Sequence, residues 1–299
     1  MLDPLQYYFL EMREHYLNVP YLNQQRRIRV LLPKGYREEA GHYPVLYMHD
    51  GQNIFYSKES YSGHSWKVIP TIKNHKEFPK MIIIGIDNAG PDRLDEYGPW
   101  RTDTGSTPET QNAGGYGMAY GRWVVETVKP FIDQHYRTKR DRDHTLLAGS
   151  SMGGIITAYM GAEYPEVFGH LGVFSLASWF SEPAFMEFIH THPLNRSSKV
   201  FIQVGTNEGD EVDSHFISNM NQAYIDCTLH YYQALIRTGH PLDNIRLKIM
   251  ANEIHHEMHW ADHFVEFLRF SLMNHLKVIG INTQYFYTSF QIIYIRYKV

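Results

Sequence analysis

The chain has 299 residues, 43% of them hydrophobic, which is enough apolar material for the core of one large α/β domain or two small domains. Its net charge of −4 comes from interspersed acidic and basic residues, a pattern that argues against a nucleic-acid partner. The single cysteine, Cys227, excludes an intrachain disulfide framework and a cysteine-based zinc site. The start lacks a signal-peptide pattern, and no apolar run approaches the roughly 18 residues of a membrane span. We therefore expect a cytoplasmic protein with no membrane partner.

Three strands are predicted in the first third of the chain. Residues 26–32 alternate basic and apolar side chains, which predicts an antiparallel strand at the edge of a sheet. Residues 45–48 and 81–86 are short, nearly continuous apolar runs, the pattern of strands buried on both faces. Both runs end in polar loops, so we expect functional side chains at those ends.

A long loop and a helix follow. Residues 87–117 are rich in Gly, Pro, Asp and Thr, and loops of this length in compact domains are usually functional or disordered. From Trp123 onward, apolar residues recur at helical spacing. Pro130 kinks this helix or divides it into two.

The most informative stretch is residues 149–153, Gly-Ser-Ser-Met-Gly, which lies between an apolar run at 144–148 and a helical pattern at 155–164. This order of strand, sharp turn and helix is typical of a nucleophile elbow. A serine hydroxyl is a weak nucleophile, so it must stand where a base can reach it, and flanking glycines permit the strained turn that achieves this. Ser151 occupies the nucleophile position. The alternative interpretation is a small-residue turn where a helix packs closely on a sheet.

The remaining pattern continues to alternate strands with helices. Further strands are predicted at 171–174, 200–204 and 245–250, with helices at about 214–237 and 260–275. Such alternation predicts an α/β fold, a mostly parallel sheet with helices on both faces. Because no linker or repeat interrupts it, we expect one domain over residues 1–275.

Residues 276–299 form a separate tail that is rich in Tyr, Ile and Phe and contains no acidic residue. The composition is strand-like, although the tail follows the last expected helix. It has three interpretations: pairing with an edge strand, bridging a homo-oligomer, or poor order.

Candidate partners for the serine occur where the fold predicts them. Catalytic groups gather at the carboxyl ends of parallel strands, in the chain order serine, acid, histidine. Glu208 and Asp210 follow the strand at 200–204, and a histidine cluster that includes His255 and His256 follows the strand at 245–250. A histidine there would take the serine proton through one ring nitrogen while the carboxylate holds the other.

The chain resembles the Putative esterase family of the α/β-hydrolase superfamily over roughly residues 22–272. That family includes feruloyl and acetyl xylan esterases, S-formylglutathione hydrolases, mycolyltransferases and siderophore esterases. The resemblance rests on residues 43–52 (YPVLYMHDGQ), 85–88 (GIDN), 95–97 (DEY), 99–100 (PW), the elbow, 164–168 (YPEVF), 205–208 (GTNE), and His255 five residues before Trp260.

The resemblance implies Glu208 as the acid and His255 as the base, with Asp210 and His256 as the fallback residues. One oxyanion donor in this fold is the N–H after the nucleophile, here that of Met152. The resemblance assigns the second donor to the N–H of Gln52. The chain departs from the family pattern in one respect: Glu253 and Ile254 stand where many members have two glycines before the histidine.

Three rival classes of protein share parts of this pattern. A metal hydrolase is suggested by the histidines between 255 and 263, but the spacing of His256 and His259 is one residue short of the H-E-x-x-H pattern. A helix expected to begin only near Trp260 would also leave most of them off one helical face. The second rival is a catalytically silent binding protein on a hydrolase scaffold, and the third is an acyltransferase that passes the acyl group to a sugar hydroxyl.

The sequence therefore predicts a serine carboxylic-ester hydrolase without a cofactor. Its expected substrates are acyl esters of a sugar or another small polar alcohol, with siderophore esters and S-formylglutathione-type thioesters as alternatives. Five residues on the polar loops are candidates for the substrate wall, with core packing as the equal alternative: Asn88, Tyr97, Trp100, Trp179 and Phe180.

Overall fold

The computed structural model describes residues 11–102, 112–209 and 219–273. Its strands form one eight-stranded sheet in the order β1-β2-β4-β3-β5-β6-β7-β8. The pairs β1/β2 and β2/β4 are antiparallel, and the other neighbouring pairs are parallel. The strands are β1 (Glu11–Val19), β2 (Gln24–Leu32), β3 (Val45–Met48), β4 (Ile82–Ile86), β5 (Thr145–Ser150), β6 (His170–Phe174), β7 (Lys199–Asn207) and β8 (Ile245–Ile254).

Helices cover both faces of the sheet, so the predicted α/β class is confirmed. They are α1 (Val68–Asn74), α2 (Arg93–Tyr97), α3 (Gly117–Trp123), α4 (Lys129–His135), α5 (Met152–Glu163), α6 (Glu182–Thr191), α7 (Met220–Arg237) and α8 (Glu257–Leu272). Residues of α3 to α7 join the core cluster on one face. Residues of α1 and α8 join the cluster on the other.

The prediction that residues 26–32 form an edge strand is wrong, although their antiparallel pairing is confirmed. Strand β2 lies between β4 and the outer strand β1. Two of its three basic side chains, Arg26 and Arg29, are buried in ion pairs, whereas Arg27 is partly exposed. Arg29 Nε lies 2.7 Å from Asp87 Oδ1, and Arg26 Nη1 lies 2.5 Å from Glu96 Oε2.

Several helices differ from the predicted pattern. The predicted helix from Trp123 is the middle of a longer run in which a π-helical segment, Val124–Val128, joins α3 to α4. Pro130 lies in α4 directly after the π-helical segment, so the prediction that Pro130 kinks the helix or divides it corresponds to a local change of helix type. Helix α6 was not predicted, because residues 178–198 were interpreted as a pocket wall. Helix α8 begins at Glu257, three residues before the predicted start.

Some predictions concern residues outside the described ranges. They include the tail at 276–299, residues 103–111 of the long loop, Asp210, and the start of the helix predicted from residue 214. Among the residues that the structure describes, no helix is both long enough and apolar enough to cross a membrane.

Candidate active site

Ser151 occupies a sharp turn between β5 and α5. Its φ of 59° and ψ of −124° lie in a region that favours glycine and that serine adopts only under strain. The turn is held by the Ser151 N–H, which donates to the carbonyl of Phe174 at 3.0 Å. The close packing explains the neighbouring glycines, because a Cβ on Gly149 would lie 2.5 Å from the carbonyl oxygen of Gly153. The local geometry is that of a nucleophile elbow.

Glu208 and His255 meet at the carboxyl ends of β7 and β8. Glu208 Oε2 lies 2.8 Å from His255 Nδ1. The other oxygen, Oε1, accepts the N–H of Gly205 at 2.6 Å and the hydroxyl of Ser175 at 2.7 Å. Burial by itself raises the pKa of Glu208, which is 1% exposed, but the hydrogen bonds from His255, Ser175 and Gly205 outweigh burial and lower it overall. The carboxylate is therefore ionised and oriented by three donors.

Two aromatic side chains enclose the His255 imidazole. The ring centroid of Tyr224 in α7 lies 4.9 Å away, and that of Trp260 in α8 lies 5.0 Å away and nearly perpendicular. Trp260 Nε1 also donates to the Ser175 hydroxyl at 2.9 Å. Ser175 was not predicted as a site residue, because a lone serine after a predicted buried strand carries no pattern. Trp260 was part of the histidine motif, but its contact with Ser175 joins positions 85 residues apart.

The two expected oxyanion donors lie in turns beside the elbow. Met152 opens α5, where the first backbone N–H groups have no acceptor within the helix. Gln52 lies in the 3₁₀ turn Gly51–Asn53 after β3, and its side-chain oxygen accepts the N–H of Asn88 at 3.2 Å. The turn packs tightly on β4, since a Cβ on Gly51 would lie 2.6 Å from Asp87 Oδ1.

A partly buried ion pair between Asp50 and Arg93 fixes the loop after β3. Arg93 Nε and Nη2 lie 2.7 and 2.9 Å from the two carboxylate oxygens of Asp50, and Asn88 donates to Asp50 at 2.6 Å. Burial alone raises the pKa of Asp50, but Arg93 and Asn88 lower it below its ordinary value. Arg93 Nη2 also lies 3.5 Å from the carbonyl oxygen of Ser150, so α2 is tied to the elbow. Sequence reasoning did not single out Arg93.

The predicted substrate wall is mostly packed into the protein. Tyr97 and Phe180 are 0% exposed, and Trp179 is also buried. Asn88 uses its side chain to hold Asp50 and the N–H of Gly90. Trp100 is half-buried against rings of α5 and α6. In this structure the packing alternative describes Tyr97, Trp179 and Phe180.

Two of the remaining histidines, His256 and His263, have structural contacts. His256 precedes α8 and accepts the Met258 N–H through Nδ1 at 3.1 Å. His259 and His263 lie on the same helix, contrary to the expected later start, and His263 Nε2 lies 2.9 Å from Glu253 Oε1. In the described ranges, no group of three or more His, Cys, Asp or Glu side chains is arranged to hold a metal ion.

The mostly parallel sheet and the serine elbow after β5 define an α/β hydrolase. The sequence model of the Putative esterase family matches residues 20–225, and the chain belongs to this family. It is a carboxylic ester hydrolase.

Other proteins are similar to this chain in sequence or in fold. The uncharacterized protein YbbA of Bacillus subtilis is 27% identical over 244 residues, which cover 81% of this chain and 91% of that protein. An IroE-like serine hydrolase from Shewanella oneidensis has a TM-score of 0.68 at 20% identity, over 87% of this chain and 79% of that one. A ferulic acid esterase from Anaeromyces mucronatus has a TM-score of 0.58 at 20% identity, over 92% and 95% of the two chains. These two structural likenesses concern the fold.

Proposed function

We propose that the protein hydrolyses carboxylic esters through a triad of Ser151, His255 and Glu208 and an acyl-enzyme intermediate. The observation that supports this most is the 2.8 Å contact between Glu208 and His255 at the sheet edge that carries the elbow. A buried anionic carboxylate at Nδ1 favours the imidazole tautomer in which Nε2 carries no proton and can act as the base.

The three residues belong to one connected set of contacts. The N–H of Ser151 is bonded to Phe174, and the next residue, Ser175, is bonded to Glu208. Glu208 in turn is bonded to His255. The elbow and the acid–base pair therefore share the end of β6 as a common support, as a catalytic constellation requires.

In the first half-reaction, the Ser151 Oγ attacks the ester carbonyl carbon while His255 Nε2 takes the hydroxyl proton. The Gln52 and Met152 N–H groups donate to the oxyanion. The intermediate then collapses by breaking the bond to the alcohol oxygen, which receives the proton from His255. In the second half-reaction, His255 takes a proton from water as the water oxygen attacks the acyl carbon. The bond to Ser151 Oγ then breaks, and His255 returns the proton to Oγ as the carboxylic acid is released.

For the substrate we propose acyl esters of a sugar or another small polar alcohol. The family resemblance and the fold shared with a ferulic acid esterase support this class. Polar groups near the elbow also favour a polar substrate over a purely aliphatic ester, because Arg93 and Asn88 lie beside it and are partly exposed.

The first test is a fluorophosphonate probe, which labels only an activated serine. We expect one adduct per chain by intact mass, mapped to Ser151 by peptide digestion. Ser151→Ala should lose the adduct, while Ser150→Ala, which removes the neighbouring hydroxyl, should keep it. An adduct on another residue, or turnover by Ser151→Ala above a trace, would overturn the proposal.

A panel of esters then tests the substrate class. Feruloyl and acetyl sugars should be cleaved faster than three other kinds of substrate: aryl esters of aliphatic acids with equal reactivity, siderophore esters, and thioesters. Preference for either of the last two would replace the sugar-ester proposal. Acyl-sugar product in the presence of a free sugar would show that transfer competes with hydrolysis.

A further inference from the structure

Ser175 links the acid of the proposed triad to a tryptophan on another helix. It follows β6, is fully buried, and has a φ of 44°, a left-handed conformation that is uncommon for serine. Its backbone N–H donates to the carbonyl of Gln203 at 2.7 Å. Its hydroxyl lies 2.7 Å from Glu208 Oε1 and 2.9 Å from Trp260 Nε1. Both backbone and side chain of Ser175 are therefore held in place.

The direction of these hydrogen bonds follows from the chemistry of the groups. An indole N–H can only donate, so the Ser175 oxygen must accept from Trp260. The hydroxyl has one proton, which then points to Glu208. Oε1 of Glu208 receives a second donor from the Gly205 N–H, which leaves no room for a proton of its own. A proton on Oε2 would oppose the donating Nδ1–H of His255.

We propose that Ser175 and Trp260 are positioning residues that hold Glu208 as an oriented anion, so that Glu208 fixes His255 in its basic tautomer. This inference rests on the proposed roles of Glu208 and His255. Trp260 acts twice in the arrangement: its N–H sets the Ser175 proton, and its ring lies against the His255 imidazole.

Other titratable groups also lie near the Glu208–His255 pair and influence its titration. Tyr224 of α7 lies against His255, and His256 adjoins it in the chain. Arg93 acts on Tyr224 from α2. These groups stay in place when Ser175 or Trp260 is changed, so a shift in the titration of the pair reports the lost donor.

The test compares two substitutions that remove the same hydroxyl. Ser175→Ala keeps the strained φ, whereas Ser175→Gly relieves the strain. A decrease in kcat/KM that both variants share therefore reflects the missing hydroxyl donor. With one donor fewer, the Glu208–His255 pair should take up its proton at higher pH. We expect the acid limb of the kcat/KM profile to rise by up to about one pH unit, and kcat/KM at neutral pH to fall about tenfold.

Trp260→Phe keeps an aromatic ring beside His255 but removes the N–H. It should move the acid limb in the same direction by a smaller amount, because Ser175 can still donate. The matched control is Thr138→Val, which deletes a buried hydroxyl that donates to Asp133 at 2.6 Å near the start of β3. Its pH profile should equal that of the wild type.

A second measurement separates this inference from the proposed function. The imidazole titration of His255, followed by NMR and assigned against His255→Ala, requires no turnover. A higher midpoint in both Ser175 variants would support positioning, even if the fluorophosphonate failed to label Ser151 and the proposed function fell. An unchanged midpoint and acid limb in folded Ser175→Gly would overturn the inference while leaving an active triad in place.

Discussion

His255 Nδ1 lies 2.8 Å from Glu208 Oε2, although 47 residues separate the two in the chain. The contact joins the loop after β7 to the loop after β8 and buries the carboxylate almost completely. A carboxylate bonded to the imidazole supports Glu208 as the acid of the proposed triad.

Glu208→Gln should lower kcat about 10³- to 10⁴-fold with little change in fold. The amide is nearly isosteric, but it removes the anion that fixes the His255 tautomer and stabilises the imidazolium. Asp210→Asn is the control and should retain roughly full activity. Steady-state kinetics of both variants on one ester would test this. A larger loss of kcat in Asp210→Asn than in Glu208→Gln would assign the acid to Asp210.

His255→Ala should reduce kcat at least about 10⁴-fold, because no other group would take the serine proton. His256→Asn should remain active, since asparagine can supply the cap that the His256 ring gives to the Met258 N–H. The comparison requires turnover rates for both variants. Loss of activity in His256→Asn with an unchanged unfolding midpoint would contradict our assignment of the base.

Gly149→Ala should destabilise the elbow. The added methyl would lie 2.5 Å from the Gly153 carbonyl, a backbone atom that cannot move without shifting α5. We expect the free energy of unfolding to fall by about 1–3 kcal/mol. Gly41→Ala is the control, because no atom lies within 4 Å of its added methyl. Urea titrations of both variants test this, and equal midpoints would refute it.

Stability should fall on acidification partly through His49. Burial lowers the pKa of His49 from 6.5 to about 3. Between these values the unfolded chain binds a proton that the folded chain does not, so the free energy of unfolding decreases as pH falls, by at most about 1.4 kcal/mol per pH unit. His170, whose pKa burial lowers to about 4, adds a similar term.

His49→Gln should make that pH dependence shallower. The amide can still meet the Tyr120 hydroxyl, which lies 2.7 Å from His49 Nδ1, but it cannot titrate. Urea unfolding at pH 7, 6, 5 and 4 would measure how the free energy of unfolding changes with pH. In the variant, this slope should lack the contribution of the one proton that His49 binds on unfolding. Parallel curves for the variant and the wild type would show that another group controls the acid transition.

The sequence predicted those parts of the fold that repeat a local pattern. Strand β3 was predicted with its observed ends, and the elbow was placed correctly between β5 and α5. Strand β1 was missed because its mixed charged and aromatic residues, half-buried at the sheet margin, show no clear alternation. The arginines of β2 led to the wrong prediction of an edge strand for a related reason. A sequence does not distinguish an arginine in a buried ion pair from one that is exposed to solvent.

The site was predictable as far as motif and chain order extend. Glu208 and His255 were brought together in the structure, whereas Ser175 depends on a contact with a residue far away in the chain, which no local pattern encodes. The substrate wall was the weakest prediction. Aromatic residues on loops serve packing and binding equally well, and burial of Tyr97 and Phe180 becomes visible only when the layers assemble.

The backbone at Ser151 is strained. Its φ of 59° suits glycine better than any residue with a side chain, and a strained position of this kind costs on the order of 1–3 kcal/mol. Ser151→Gly should therefore melt at a higher temperature than the wild type while being inert. The proposed nucleophile thus occupies a position where glycine would give the more stable protein, so stability and the proposed activity make opposite demands on residue 151.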